Sequence, residues 1–120
     1  MKKRSDIRKG AGCTKYKFGA TPEGKVKQAI VTALQIAKDH GLPIWWTMPA
    51  ANGSGETGLG DFLVCLNGDL IFIEAKAEHG RLSKAQERVK MEVEEANGTY
   101  LVVRGEEEAA RLTTALMRMV

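Results

Sequence analysis

Asp61, Glu74 and Lys76 stand at the ends of two short apolar segments, "DFLVCL" over 61–66 and "DLIFIEAKA" over 69–77. The dipeptide Asn67-Gly68 between them is a strong hairpin signal. As a two-residue turn it sets Leu66 opposite Asp69. Counting outward pair by pair then brings Asp61 opposite Glu74. Directly opposed residues share a sheet face, with Cβ atoms roughly 4.5–5.5 Å apart. Side chains alternate with a period of two, so Lys76 shares that face and Ala75 points the other way. A slip of one residue would destroy this set, but it would also turn the apolar face outward.

Two like charges directly opposed are unfavourable. Protonation of one carboxylate would relieve them, as in acid dyads. So would a bound cation. Paired carboxylate oxygens suit a hard divalent ion such as Mg²⁺, which is usually held by one or two carboxylates together with substrate phosphates. Lys76 would then orient or stabilise water attacking phosphorus, or neutralise developing charge. The structural alternative is a surface Glu–Lys pair at a strand end, with Asp61 in a turn.

The rest of the chain must position these residues. Thr21 caps a helix with Pro22 at its first position. Val26, Ile30, Ala33, Leu34 and Ala37 recur at the spacing of one buried helical face, and Gly41 and Pro43 end it. "IWWTM" (44–48) reads as a strand, with Trp45 and Trp46 divided between surface and core. A loop over 49–60 holds four glycines. Ser83 and Gln86 form a capping box for a second helix that runs to about Ala96. "TYLVV" (99–103) is a β-rich strand, and "EEEAARLTTALMRM" reads as a final helix. The expected fold is α/β: a helix, a three-stranded antiparallel meander, a helix, a strand parallel to the third, and a C-terminal helix.

The chain has 120 residues, enough for one domain, and no apolar run long enough to span a membrane. Cys13 and Cys65 lack metal-ligand spacing and are expected as free thiols in a reducing cytoplasm. The net charge of +3 is unevenly spread. Lys2, Lys3, Arg4, Arg8, Lys9, Lys15 and Lys17 face Asp6 alone, so residues 1–17 carry a net +6 and the remainder −3. A basic N-terminal arm over 1–20, ahead of a domain over 21–120, has the composition of segments that track nucleic-acid phosphates or stay solvated. Arg81 and Lys84, just past the carboxylates, are further candidates for phosphate contact.

Over roughly residues 21–105 the sequence resembles the VRR-NUC (virus-type replication-repair nuclease) domain of the PD-(D/E)xK superfamily, in a stand-alone, phage-like form. The resemblance rests on "GLGDFLVCLNGDLIFIEAKAEHGRLSKAQ" and "GTYLVVRG": G-x-x-D, a hairpin, E-x-K, a glycine, a glutamine-bearing helix and a strand. It implies Asp61, Glu74 and the carbonyl of Ala75 as metal ligands, and Lys76 as the catalytic lysine. Glu23 would complete the acidic cluster directly or through water, and Gln86 would help shape the site. Gly60 stands where the family usually has proline.

The expected activity is a Mg²⁺-dependent DNA endonuclease, with Mn²⁺ able to substitute. Branched DNA such as a four-way (Holliday) junction is the expected substrate, in DNA repair or recombination. The resemblance also implies a homodimer, and a cytoplasmic location, in a host cell if the chain is phage-encoded. The apolar C-terminal helix, with Leu112, Ala115, Leu116, Met117, Met119 and Val120, offers a surface for pairing. Rival readings are a catalytically idle nucleic-acid-binding module, a nicking nuclease on simpler DNA, and a Mg²⁺ enzyme acting on RNA or small phosphates.

Overall fold

The computed structural model describes residues 16–50 and 56–120. Helix α1 (Pro22–Asp39) starts where Thr21 Oγ1 accepts the Gly24 amide at 3.0 Å. It buries Val26, Ile30, Ala33, Leu34 and Ala37, as the spacing predicts. Strands β1 (Ile44–Thr47), β2 (Phe62–Leu66) and β3 (Asp69–Lys76) form an antiparallel meander. The turn between β2 and β3 needs positive φ at both central residues, and Asn67 (φ 52°) and Gly68 (φ 87°) supply it. Leu66 pairs with Asp69 and Phe62 with Ile73, the register read from the sequence.

Helix α2 (Lys84–Glu95) carries the expected capping box. Strand β4 (Thr99–Arg104) returns parallel to β3, giving the order β1-β2-β3-β4. The final helix departs from expectation. It divides into α3 (Gly105–Ala110) and α4 (Leu112–Arg118), with a turn at Arg111. The Arg111 amide donates to Glu108 O three residues back, tightening the chain locally. Thr113 then donates its hydroxyl to Ala33 O on α1, fixing the new segment against that helix. Ala109, Leu112 and Leu116 remain buried.

The sheet separates two unequal layers. On one face, Phe62, Val64, Leu66, Ile71, Ile73 and Ala75 pack against α1, α3 and α4. On the other, Phe72, Val89 and Tyr100 form a smaller nucleus under α2. Residues of even number on β3 belong to this second face, which places Glu74 and Lys76 in line with Phe72. Trp46 packs on Phe62 with ring centroids 5.9 Å apart, while Trp45 is exposed. No helix among the described residues is long and apolar enough to cross a membrane.

Candidate active site

The carboxylate pair forms at the open end of the β2–β3 hairpin, one step beyond the last ladder pair. Asp61 and Glu74 are tied by reciprocal backbone bonds: the Asp61 amide donates to Glu74 Oε1 at 3.1 Å, and the Ala75 amide donates to Asp61 Oδ2 at 2.9 Å. Each acid thus engages the partner strand's backbone, and the hairpin is extended by side chains where the ladder stops. The loop that delivers Asp61 is held against α2. A Cβ on Gly58 (φ 88°) would lie 2.4 Å from the Ala85 carbonyl oxygen, so only glycine fits there. Tyr100 donates its hydroxyl to Gly58 O at 3.2 Å, and Leu59 packs into the smaller core.

Glu74 is only 3% exposed, the one charged residue among those described that is buried. Burial, and next the charge of Asp61, push its carboxyl up to about 7, against the opposing pull of Lys76. Burial and the neighbouring charge thus oppose ionisation of Glu74 in a cluster left to itself. Lys76 Nζ lies 3.3 Å from Glu74 Oε2. Gln86 Nε2 donates to the same oxygen at 2.9 Å, while Gln86 Oε1 accepts the Ser83 amide at 2.9 Å. One side chain closes the cap of α2 and orients the buried carboxylate. The capping box accounts for Gln86 locally; the resemblance also implies a part in the site, and the bond to Glu74 is the contact that brings it there.

Glu23 stands apart from this pair. Its carboxylate faces Lys27 Nζ at 3.8 Å, and Lys27 Nζ in turn faces Asp61 Oδ1 at 3.7 Å. Among the described residues no group of three or more His, Cys, Asp or Glu side chains is gathered as a metal cluster. The acids therefore form a close pair plus an outlying glutamate, with an ammonium between. The pair itself fits a hard divalent cation: its donors are all oxygen, and a cation would offset the repulsion between two opposed carboxylates. Ala75 is fully buried with its amide committed to Asp61.

Arg104 pairs with Lys76 across β3 and β4, and its Nε donates to Gly80 O at 3.0 Å. Sequence reasoning passed over both Arg104 and Lys27. The i,i+4 spacing of Glu23 and Lys27 was the available signal for the latter. Arg81 and Lys84 are exposed at the start of α2. Lys2, Lys3, Arg4, Arg8 and Lys9 lie outside the described residues. A groove of about 650 Å³ between α2 and the hairpin turn is lined by Leu70, Val89 and Val93 with Glu56, Asp69 and Glu92. It contains none of the candidate catalytic residues.

No family model matches the chain. No curated protein matches it. Among solved structures it superimposes on one described as a VRR_NUC domain, with a TM-score of 0.60 and 22% sequence identity, over 79% of this chain and 97% of that chain. The four-stranded mixed sheet, its flanking helices and their order thus follow the restriction-endonuclease-like fold of a VRR_NUC domain.

Proposed function

We propose that this chain is a divalent-metal-dependent DNA endonuclease that hydrolyses phosphodiester bonds. The observation that carries the reading is the buried Glu74, opposed to Asp61 and 3.3 Å from Lys76. A merely structural strand end has no use for a buried carboxylate whose ionisation is opposed by both burial and a neighbour. Asp61 and Glu74 would hold Mg²⁺ or Mn²⁺, with the Ala75 carbonyl as a third ligand and Glu23 at the periphery. When bound, the ion supplies charge neutralisation and Lewis-acid chemistry at the phosphodiester. Gln86 fixes the Glu74 carboxylate by its Nε2 bond, so the ligand enters the reaction already oriented. Lys76 presents its ammonium to the attacking water and to the charge that grows on phosphate oxygens.

Branched DNA cut by a homodimer is the more specific form of the proposal. A single carboxylate pair serves one phosphodiester at a time, and a two-fold dimer provides two equivalent sites for paired cuts. The remaining apolar surface of α4 and the residues after it, with Met117, Met119 and Val120 exposed, supports pairing. The N-terminal lysines and arginines, with Arg81 and Lys84, would hold the phosphate backbone. The test is the purified chain with Mg²⁺ or Mn²⁺ against labelled single strands, duplexes, flaps and four-way junctions, with RNA counterparts. Metal-dependent paired cuts at junctions are expected. Binding without cleavage under all conditions would leave an idle binding module, and cleavage of RNA alone would change the substrate class. Light scattering on a sizing column tests the dimer. Removal of residues 1–17 should lower DNA affinity and flatten its salt dependence.

A further inference from the structure

Each carboxylate of the pair has its own lysine, and the two lysines are not equivalent. Lys76 projects from the same strand as Glu74. Lys27 comes from α1, packed on the other side of the sheet, and stands between acids of two different elements: Asp61 Oδ1 at 3.7 Å and Glu23 Oε2 at 3.8 Å. Only 25% of its side chain is exposed. Asp61 is divided accordingly, with Oδ2 fixed by the Ala75 amide and Oδ1 turned toward α1. Two-ion nucleases place their cations roughly 3.5–4 Å apart, clamping the attacking and leaving oxygens from both sides. Asp61 Oδ1 is the oxygen that such sharing would use, and Glu23 is the acid on the far side. Here an ammonium already bridges them. A lysine head is a compact point charge with three donors, so it can neutralise two carboxylates without requiring their full coordination geometry.

We infer that Lys27 is a fixed cation in the place of a second divalent ion, so that the site takes one ion, held by Asp61 and Glu74. The inference rests on reading that pair as a metal site. It assigns Glu23 to Lys27 rather than to the metal, and makes Lys27 a positioning residue for Asp61.

Calorimetric titration of the full chain with Mn²⁺ tests it, without DNA and without reference to cleavage. The wild type is expected to bind one ion per chain. Lys27→Gln is expected to bind two, the first about two- to fivefold more tightly, because a partly exposed ion pair no longer competes for Asp61. Adding Glu23→Gln to that variant should return the count to one. Lys27→Met, which keeps the aliphatic stem, repeats the test if Lys27→Gln unfolds. Two ions in the wild type, or one ion with unchanged affinity in both Lys27 variants, would overturn the assignment and leave the metal site standing. A second ion that persists after Glu23→Gln also overturns it. A wild type that binds no ion overturns the metal-site reading, and this inference with it.

Discussion

The two faces of the sheet are built for different ends. Toward α1, α3 and α4 the residues are apolar without interruption from Phe62 to Leu66 and from Ile71 to Ala75 at every second position. Toward α2 the layer is thin. Phe72 and Tyr100, their rings 6.1 Å apart, stand under Val89, and the next even position along β3 is a carboxylate. The first face supplies most of the apolar burial. The second holds Glu74 out of water. An acid buried in the thicker layer would be beyond reach of substrate; one on a fully open face would ionise as it does in solution.

The thick layer is the more sensitive of the two to truncation of a side chain. Phe62 is fully buried at the centre of the larger cluster. Phe62→Ala should cost about 3–5 kcal/mol of stability, from lost transfer energy and an uncollapsed cavity. Phe72→Ala, on the α2 side and 8% exposed, should cost at least ~1 kcal/mol less, because neighbours at a thin edge can close the gap. Urea unfolding at unchanged m measures both. Equal losses would mean that the two layers carry the fold equally.

At the thin layer the large effect is on chemistry. Lys76→Ala should reduce cleavage by at least about a hundredfold, the scale of losing one electrostatic stabiliser. Divalent metal binding should survive, because the role proposed for the ammonium is on water and phosphate rather than on the ion. Lys76→Arg should rescue poorly, since a planar fork does not replace a point charge. Asp61→Asn and Glu74→Gln should lose comparable activity together with metal affinity. A Lys76→Ala enzyme of normal rate would remove the lysine from the mechanism.

Glu74 should also make the thin layer sensitive to pH. Its carboxyl rises from the ordinary 4.5 to about 7 on folding. The unfolded chain therefore gives up this proton first. The contribution of Glu74 to stability falls as pH rises from about 4.5 to about 7, then levels, by a penalty on the order of 3 kcal/mol. Glu74→Gln lacks this slope. It loses one acceptor, worth about 1 kcal/mol, since its amide nitrogen cannot accept from Gln86 Nε2. Without metal the variant should therefore be about 2 kcal/mol more stable than wild type at pH 8, with no advantage below pH 4. Denaturant curves of both proteins at the two pH values decide it, and a variant that gains nothing relative to wild type between pH 4 and pH 8 would contradict the burial penalty.

Much of this site was legible in the sequence because its geometry is local. Asn67-Gly68 fixes the turn, the turn fixes the register, and the period of two then places Asp61, Glu74 and Lys76 on one face. Thr21, Pro22 and Ser83 mark helix starts by chemistry that acts within a few residues. The contacts that were not legible cross between elements. The approach of Lys27 to Asp61 depends on how α1 is rotated above the sheet, which no spacing within the helix specifies. The break at Arg111 is likewise joined to a distant partner, through Thr113 and Ala33. For Gln86 the resemblance implies a part in the site but names no partner, and the capping box already satisfies the residue locally; the bond to Glu74 crosses from α2 to β3.

That double use of Gln86 yields the smallest and most selective prediction. Ser83 and Gln86 each contribute half of the capping box, Ser83 Oγ accepting the Gln86 amide at 3.1 Å and Gln86 Oε1 accepting the Ser83 amide. Ser83→Ala should cost about 1 kcal/mol of stability through the cap alone. It leaves Gln86 Nε2 and Glu74 in place, so cleavage and metal affinity should stay near wild type. Gln86→Glu does the reverse. Glutamate is equally able to close a capping box, so the helix should keep its start. Its carboxylate, however, has no N–H to offer Glu74 Oε2 and adds a third negative charge beside Asp61 and Glu74. Without metal, the Glu74 carboxyl should rise further. Cleavage should fall by about tenfold, the lower range for losing the group that orients a metal ligand, if Glu74 is the ligand proposed. If Ser83→Ala harmed cleavage as much as Gln86→Glu, the helix start would act as a single unit, and the separate contact of Gln86 with Glu74 would have no role of its own.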